Sequence, residues 1–253
     1  MKNSAKSCGD KDRAEEIFRR LRQHYSELYL TTALGNISSL DDPFRVLIST
    51  VLSQRTRDAV TEEASKRLFA KYPGADAMSE ASLRDITREI RTVCFYRNKA
   101  RAIRQISRII MSDYGGSVPS TLEELMRLPS VGRKTANCTI VYGFGKSAIP
   151  VDTHVHRVSN RLGLVKTTRP EETEKELLKL LPEKLWMDTN ELMVIHGQHI
   201  CRPVRPVCGV CPVADLCRYE MKQLPETEGD GRRRGAQRTL RGSAIITRFP
   251  GRG

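Results

Sequence analysis

Residues 128–154 read LPSVGRKTANCTIVYGFGKSAIPVDTH, and the reading of the whole chain turns on the two side chains this stretch presents, Lys134 and Asp152. Just upstream, Ser120 with Glu123 makes a capping box for a short helix whose buried side is Leu122, Leu125 and Met126. Pro129 stops that helix, and Gly132 permits a sharp reversal into a second one, expected from Arg133 to about Tyr142. The free N–H groups at the second helix start carry the positive end of a dipole, a place for a phosphate oxygen. Two short helices joined in this way suit a sequence-independent grip on a nucleic-acid backbone.

Lys134 breaks a local rule. A cation in the first turn of a helix faces the positive dipole end and here sits beside Arg133, so both neighbours disfavour its ammonium form. That is the direction in which an amine becomes nucleophilic. On local sequence, two readings of Lys134 stand together: an amine used for chemistry, or a simple phosphate contact.

Working outward, the 253-residue chain has 39% hydrophobic residues, enough for one large core or two modest ones, and a net charge of +13 with a pI near 9.6. This balance favours an anionic partner, with nucleic acid foremost, although basic ribosomal, membrane-surface and heparin-binding proteins share it. No apolar run approaches the roughly 18 residues that would span a bilayer. Met1 to Arg13 is polar without a signal-peptide core, so a soluble, intracellular, cytoplasmic protein is expected.

Seven cysteines are unevenly spread, and Cys201, Cys208, Cys211 and Cys217 form a C-x6-C-x2-C-x5-C pattern. Such crowding argues for a metal site over a disulfide framework. Four thiolates suit either tetrahedral zinc or an iron-sulfur cluster, and spacing alone does not choose. His196 and His199 lie three apart on a predicted helix, but four cysteines already complete a closed site, so packing or capping accounts for them better.

The remaining segments are read as helices. Asp12 to Tyr29 carries Ala14, Ile17, Phe18, Leu21, Tyr25 and Leu28 in one apolar stripe. After a loop rich in Gly, Asn and Ser, Asp42 and Pro43 open a helix whose FRVLISTVL is apolar almost all round, as a central buried helix should be. It ends in SQRTRD, residues 53–58, which by default is a helix end meeting solvent. Further helices are expected at Val60 to Tyr72, Leu83 to Val93 behind a Ser82/Asp85 cap pair, and Lys99 to Tyr114. Beyond Asp152 they are expected at about Thr153 to Arg161, Pro170 to Leu181, and Thr189 to His199 behind Asp188 and Glu191. Between two of them lies CFYRNK, residues 94–99, whose exposed aromatic either wedges into a base stack or forms a lid on the core. No segment alternates like a strand, so the fold should be all-α. From Pro225 the chain is rich in Arg and Gly and reads as a basic disordered tail, residues 225–253.

LPSVGRKTAN followed by VDTHVHRV resembles the helix-hairpin-helix, Gly/Pro-rich loop and aspartate signature of the endonuclease III family of base-excision-repair DNA glycosylases. The likeness runs over nearly the whole chain to about residue 220, with one departure: the family hairpin usually reads LPGVG, and Ser130 replaces its first glycine. It implies two helical lobes, one of residues 36–147 with the hairpin at about 121–142, the other joining residues 1–35 to 148–224, with DNA in the cleft between them. It also implies that the four cysteines hold a [4Fe-4S] cluster within 201–217, stapling a frame that offers Arg202 and Arg205 to phosphate.

The same resemblance implies further contacts with double-stranded DNA. Gln54 or Arg55 would fill the space left by an extruded base, since Gln54 lies one place earlier than the family pattern expects. Phe95 would insert into the stack, with Arg97 and Lys99 near the backbone, and Ser130, Val131, Gly132, Arg133 and His154 would meet the DNA around the hairpin. The implied activity is that of a monomeric bifunctional DNA glycosylase and AP lyase acting on oxidised pyrimidines. Lys134 would attack the sugar C1′ and form a Schiff base, β-elimination would nick the strand, and Asp152 would activate the amine or stabilise charge on the sugar. Asp152 can also cap the helix that follows it. Two alternatives remain: a mismatch thymine or adenine glycosylase, which typically lacks the hairpin lysine, and a non-catalytic DNA-binding module.

Overall fold

A computed structural model describes residues 2–26 and 42–222, with side chains from Gly9 onward, and every regular element among them is helical. Leu28, the Gly/Asn/Ser loop and residues 225–253 lie outside the described residues. The helices are α1 (Lys2–His24), α2 (Pro43–Ser53), α3 (Asp58–Lys71), α4 (Ala75–Glu80), α5 (Leu83–Glu89), α6 (Tyr96–Asp113), α7 (Leu122–Leu125), α8 (Arg133–Cys138), α9 (Thr153–Leu162), α10 (Pro170–Leu180) and α11 (Trp186–His199). A π-turn, Thr139–Gly143, prolongs α8, and 3-10 turns occupy Glu183–Leu185 and Cys208–Val210. The described residues form two compact units, with a break between Pro150 and Val151, and α1 belongs with the second.

In the unit that ends at Pro150, α2 is the axis. Phe44, Val46, Leu47, Ile48, Val51 and Leu52 are buried all round it, because α3, α6, α8 and the π-turn each pack on a different side. Fully burying Leu47 or Ile48 contributes roughly 1.5–3 kcal/mol each. Asp42 starts the helix by accepting the Arg45 N–H at 3.0 Å, and Pro43 fills the first turn. A Cβ on Gly143 would come within 3.0 Å of the Pro43 Cα, so glycine lets the π-turn lie against this helix start.

Several boundaries differ from expectation for identifiable reasons. The cap of α7 is Thr121, which accepts the Glu124 N–H and donates to its carboxylate at 2.6 Å; the Ser120 hydroxyl is engaged by Lys146 instead. Met126, expected on the buried side of α7, is exposed, and Leu125 and Leu128 face the core. The α4 helix was not foreseen, α5 ends at Glu89, and α6 begins at Tyr96, three residues before Lys99.

In the other unit, Ala14, Ile17, Phe18, Leu21 and Tyr25 of α1 are buried as the apolar stripe predicts. Arg13 donates to the carbonyls of Leu162, Gly163 and Leu216, tying α1 to the end of α9 and to the cysteine segment. Helix α11 begins at Trp186 and not at Thr189, so Asp188 lies inside its first turn, where it pairs with Arg22.

Candidate active site

In the unit that ends at Pro150, the candidate residues gather at the hairpin. The residue in the left-handed region is Ser130, with φ 62°, whereas Gly132 is extended at φ −92°. The reversal assigned to Gly132 is therefore made by Ser130, at the position where the family pattern has glycine. A Cβ on Gly132 would meet nothing within 4 Å, so packing does not demand glycine there and its surface is open. Val131 is buried and its N–H donates to the Leu128 carbonyl at 3.2 Å, so it anchors the turn to the core and leaves its neighbours outside. Lys134 follows in the first turn of α8, half-buried, just before the buried Thr135 and Ala136. No hydrogen bond or ion pair of its ammonium occurs among the described residues.

Around the hairpin, the SQRTRD segment resolves into distinct roles. The Gln54 amide donates to the Ser130 carbonyl at 2.9 Å and to the Thr135 hydroxyl at 3.3 Å, which engages it in holding the turn. Arg55 is exposed, left-handed at φ 54°, and its guanidinium carbon lies 5.8 Å from the centroid of the Phe95 ring. Phe95 is itself left-handed at φ 56° and 59% exposed, so it is no lid on the core. Arg97 is exposed nearby.

Lys99 corrects the sequence reading. It is only 5% exposed, and its ammonium donates to the Leu52 carbonyl at 2.7 Å, the Gln54 carbonyl at 2.6 Å and the Thr56 hydroxyl at 3.0 Å. A group with all its donors satisfied inside the protein is not placed to meet a phosphate.

Arg55, Phe95, Ser130 and Arg205 are the non-glycine residues of positive φ among those described. Each such conformation costs about 1–2 kcal/mol, and strain of this kind persists only where the surroundings enforce it, most often at functional sites.

In the other unit, Asp152 is the N-cap of α9. Its Oδ1 accepts the N–H groups of His154 and Val155, both at 2.8 Å, and its Oδ2 accepts none of the described bonds. His154 is half-buried, with Nδ1 3.2 Å from the Arg157 guanidinium. Two residues the sequence reading passed over secure this helix. Arg157 donates to the carbonyls of Gly197 and Cys201, and Arg161 donates to those of Arg202 at 2.6 Å and Pro203 at 2.8 Å. Their i, i+4 spacing on α9 was the available signal, since it puts both on one face. A Cβ on Gly197 would lie 2.6 Å from His154 Nδ1, so glycine permits this close approach of α11 to α9.

Cys201, Cys208, Cys211 and Cys217 line one pocket together with Leu162, His196 and Ile200. Among the described residues no three His, Cys, Asp or Glu side chains close around a single-ion position. Four cysteine thiols on one pocket are a donor set that an iron-sulfur cluster takes. The surroundings act on these thiols in opposite directions. Burial pushes the Cys211 thiol up to about 11, a penalty that a cationic cluster offsets, and Arg161 donates to the Cys201 sulfur at 3.7 Å.

His196 is a buried neighbour of this pocket. Burial holds its pKa down to about 4, so the ring is neutral; the Tyr25 hydroxyl lies 3.0 Å from Nδ1, and Nε2 faces the Cys211 sulfur at 3.8 Å. The packing role expected for His196 is thus supplemented by a contact to a candidate ligand. Arg202 and Arg205 are exposed on the loop between Cys201 and Cys208.

Residues 48–183 match the family described as the HhH-GPD superfamily of base excision DNA repair proteins. Residues 201–217 match the iron-sulfur binding domain of endonuclease III. The chain is 50% identical over 206 residues to endonuclease III of Thermotoga maritima, a match covering 81% of this chain and 91% of that one. It is 38% identical over 215 residues to endonuclease III of Synechocystis sp., covering 84% and 94%. Among solved structures, it is similar to a trapped endonuclease III-DNA covalent intermediate with a TM-score of 0.73 at 36% identity, over 82% of this chain and 95% of that chain. It is also similar to a thermostable thymine-DNA glycosylase, with a TM-score of 0.66 at 26% identity, over 70% and 84%.

Proposed function

The chain belongs to the HhH-GPD superfamily of base excision DNA repair proteins, as a DNA glycosylase and AP lyase of endonuclease III type, and from that premise we propose that it removes oxidised pyrimidines from duplex DNA with Lys134 as nucleophile. The observation that carries this reading is the hairpin: a strained turn at Ser130 leads directly into α8, and the Lys134 amine stands in its first turn with no partner among the described residues.

In this mechanism the target nucleotide leaves the stack, and the Lys134 Nζ lone pair attacks the sugar C1′ as the C1′–N glycosidic bond breaks and the base departs. Ring opening gives a Schiff base between Nζ and C1′. Loss of a C2′ proton then expels the 3′ phosphate by β-elimination and nicks the strand. Asp152 stabilises the positive charge that develops on the sugar, a task for Oδ2 while Oδ1 holds the α9 cap. Because capping fixes the carboxylate, the local role and the chemical role support each other.

Ser130, Gly132, Arg133 and His154 would lie along the DNA backbone, with the buried Val131 acting by anchoring the turn. Arg55 and Phe95 would enter the stack, and Arg97, Arg202 and Arg205 would meet phosphates. Gln54, engaged with the hairpin, leaves the gap-filling role to Arg55. The cofactor is a [4Fe-4S] cluster, which we assign to Cys201, Cys208, Cys211 and Cys217. When bound it supplies a rigid anchor for the loop, and Arg157 and Arg161 carry that rigidity to the helix headed by Asp152. The enzyme is proposed to act as a monomer.

Borohydride trapping on a duplex containing thymine glycol tests the nucleophile. Wild-type protein should form a covalent adduct and nick the strand, and Lys134→Ala should do neither while keeping its helical circular dichroism. Unchanged trapping by that variant would overturn the assignment.

A further inference from the structure

We propose that Lys99 is a positioning residue for base extrusion, whose buried ammonium clasps the α2–α3 turn to the start of α6 and thereby holds Arg55 and Phe95 in the paired geometry that enters the duplex. The proposal rests on the function proposed above, in which those two residues open the stack.

A buried ammonium is expensive, and a methionine of similar length would fill the same space without charge. The reason for a lysine lies in its partners. Helix α2 ends at Ser53, leaving carbonyls without helical partners, and the Lys99 ammonium supplies donors to Leu52 and Gln54 at 2.7 and 2.6 Å. Its third donor goes to the Thr56 hydroxyl at 3.0 Å. That hydroxyl also accepts the Cys94 N–H at 3.2 Å and donates to the Gln54 carbonyl at 3.3 Å.

Arg55 therefore sits between two residues that Lys99 holds, while Cys94, next to Phe95, is tied to the same hydroxyl. The Lys99 backbone N–H completes the link by donating to the Phe95 carbonyl at 3.1 Å. One residue thus flanks both left-handed positions, by its side chain at φ 54° and its main chain at φ 56°. Through Gln54 the network reaches a third, because the Gln54 amide binds the carbonyl of Ser130. Left-handed side-chain-bearing residues persist where their surroundings over-determine them, and Lys99 is the group that does so for Arg55 and Phe95.

The test compares a substrate that must be opened with one that is already open, using the full-length, cluster-loaded protein. Lys99→Met keeps the stem and removes the donors. Single-turnover excision of thymine glycol from a duplex should fall by roughly tenfold to a hundredfold, the scale of a small misplacement of positioning groups. The fluorescence rise of 2-aminopurine placed opposite the lesion should be lost. Nicking of a single-stranded abasic oligonucleotide, which has no stack to open, should stay within about twofold of wild type, as should helical circular dichroism and cluster absorbance. Equal loss on both substrates, or full duplex activity with a normal 2-aminopurine signal, would overturn the proposal.

Should Lys99→Met fail to fold, Thr56→Val removes the shared hydroxyl at nearly constant shape and should give the same split at smaller amplitude; no split there would equally overturn it. A wild-type protein that releases no thymine glycol would count against the proposed function instead. In that event the 2-aminopurine comparison on an abasic-analogue duplex still tests the clasp: a lost signal in the variant supports it, and an unchanged one overturns it.

Discussion

The two units place their functional side chains by different means. In the unit built on α2, geometry is held by backbone strain and buried polar bonds: Ser130, Arg55 and Phe95 stand at positive φ, with Gln54 and Lys99 fastened beneath them. In the unit that carries Asp152, the backbone of α9 is regular, left-handed strain is confined to Arg205 among the described non-glycine residues, and long arginine side chains tie α9 to the loop that carries the four cysteines. The first arrangement is intrinsic to the polypeptide, and the second depends on a cofactor. The candidate residues of one unit can therefore lose their support while those of the other retain theirs.

The strongest way to break this contrast is to remove the cluster by oxidation and chelation. Structural metal sites contribute on the order of 10 kcal/mol to folding, so amide exchange in α9 and α11 should rise by orders of magnitude while α2 and α6 stay protected. Uniform loss of protection would show that the first unit also depends on the metal. Next in size, Asp152→Asn keeps the cap but removes the charge, so melting should change little while single-turnover base release falls by about 10²–10³-fold. A near-normal rate would leave Asp152 as a cap alone.

Arg161→Ala removes two bonds from a guanidinium to backbone carbonyls and should lower stability by about 2 kcal/mol, read as faster exchange confined to α9 and the cysteine loop. Spread of that effect into α2 would contradict the separation of the two supports. The smallest change should come from Ser130→Gly, which relieves a left-handed serine and so raises stability by roughly 0.5–1 kcal/mol in urea denaturation. Destabilisation there would mean that the serine side chain holds the hairpin in a way its backbone does not reveal.

Much of the candidate site was legible because it is local. A proline stop, a glycine and a lysine within six residues announce a hairpin, an aspartate ahead of THVHRV announces a cap, and cysteine spacing announces a metal loop. The fold class was legible for a similar reason, since apolar residues recur with the helical period and nowhere with the period of a strand. What was misread depended on distant partners. Lys99 at a helix start looks solvent-facing until the carbonyls of Leu52 and Gln54, some 45 residues away in sequence, are brought to its ammonium. Arg157 and Arg161 look like a solvated helix face until the cysteine loop arrives beneath them. Gln54 differs from Arg55 by a contact to Ser130, which no local pattern encodes.

By itself the sequence determined the helical class, most of the longer helices, the hairpin, the lysine and aspartate candidates and the cysteine set, because each depends on neighbours within one or two turns of chain. Only the tertiary structure decided which polar groups face solvent. Burial and hydrogen bonding are properties of what other segments bring to a residue: they withdrew Lys99 from solvent, tied Gln54 to the hairpin, and left Arg55 and Phe95 exposed as a pair.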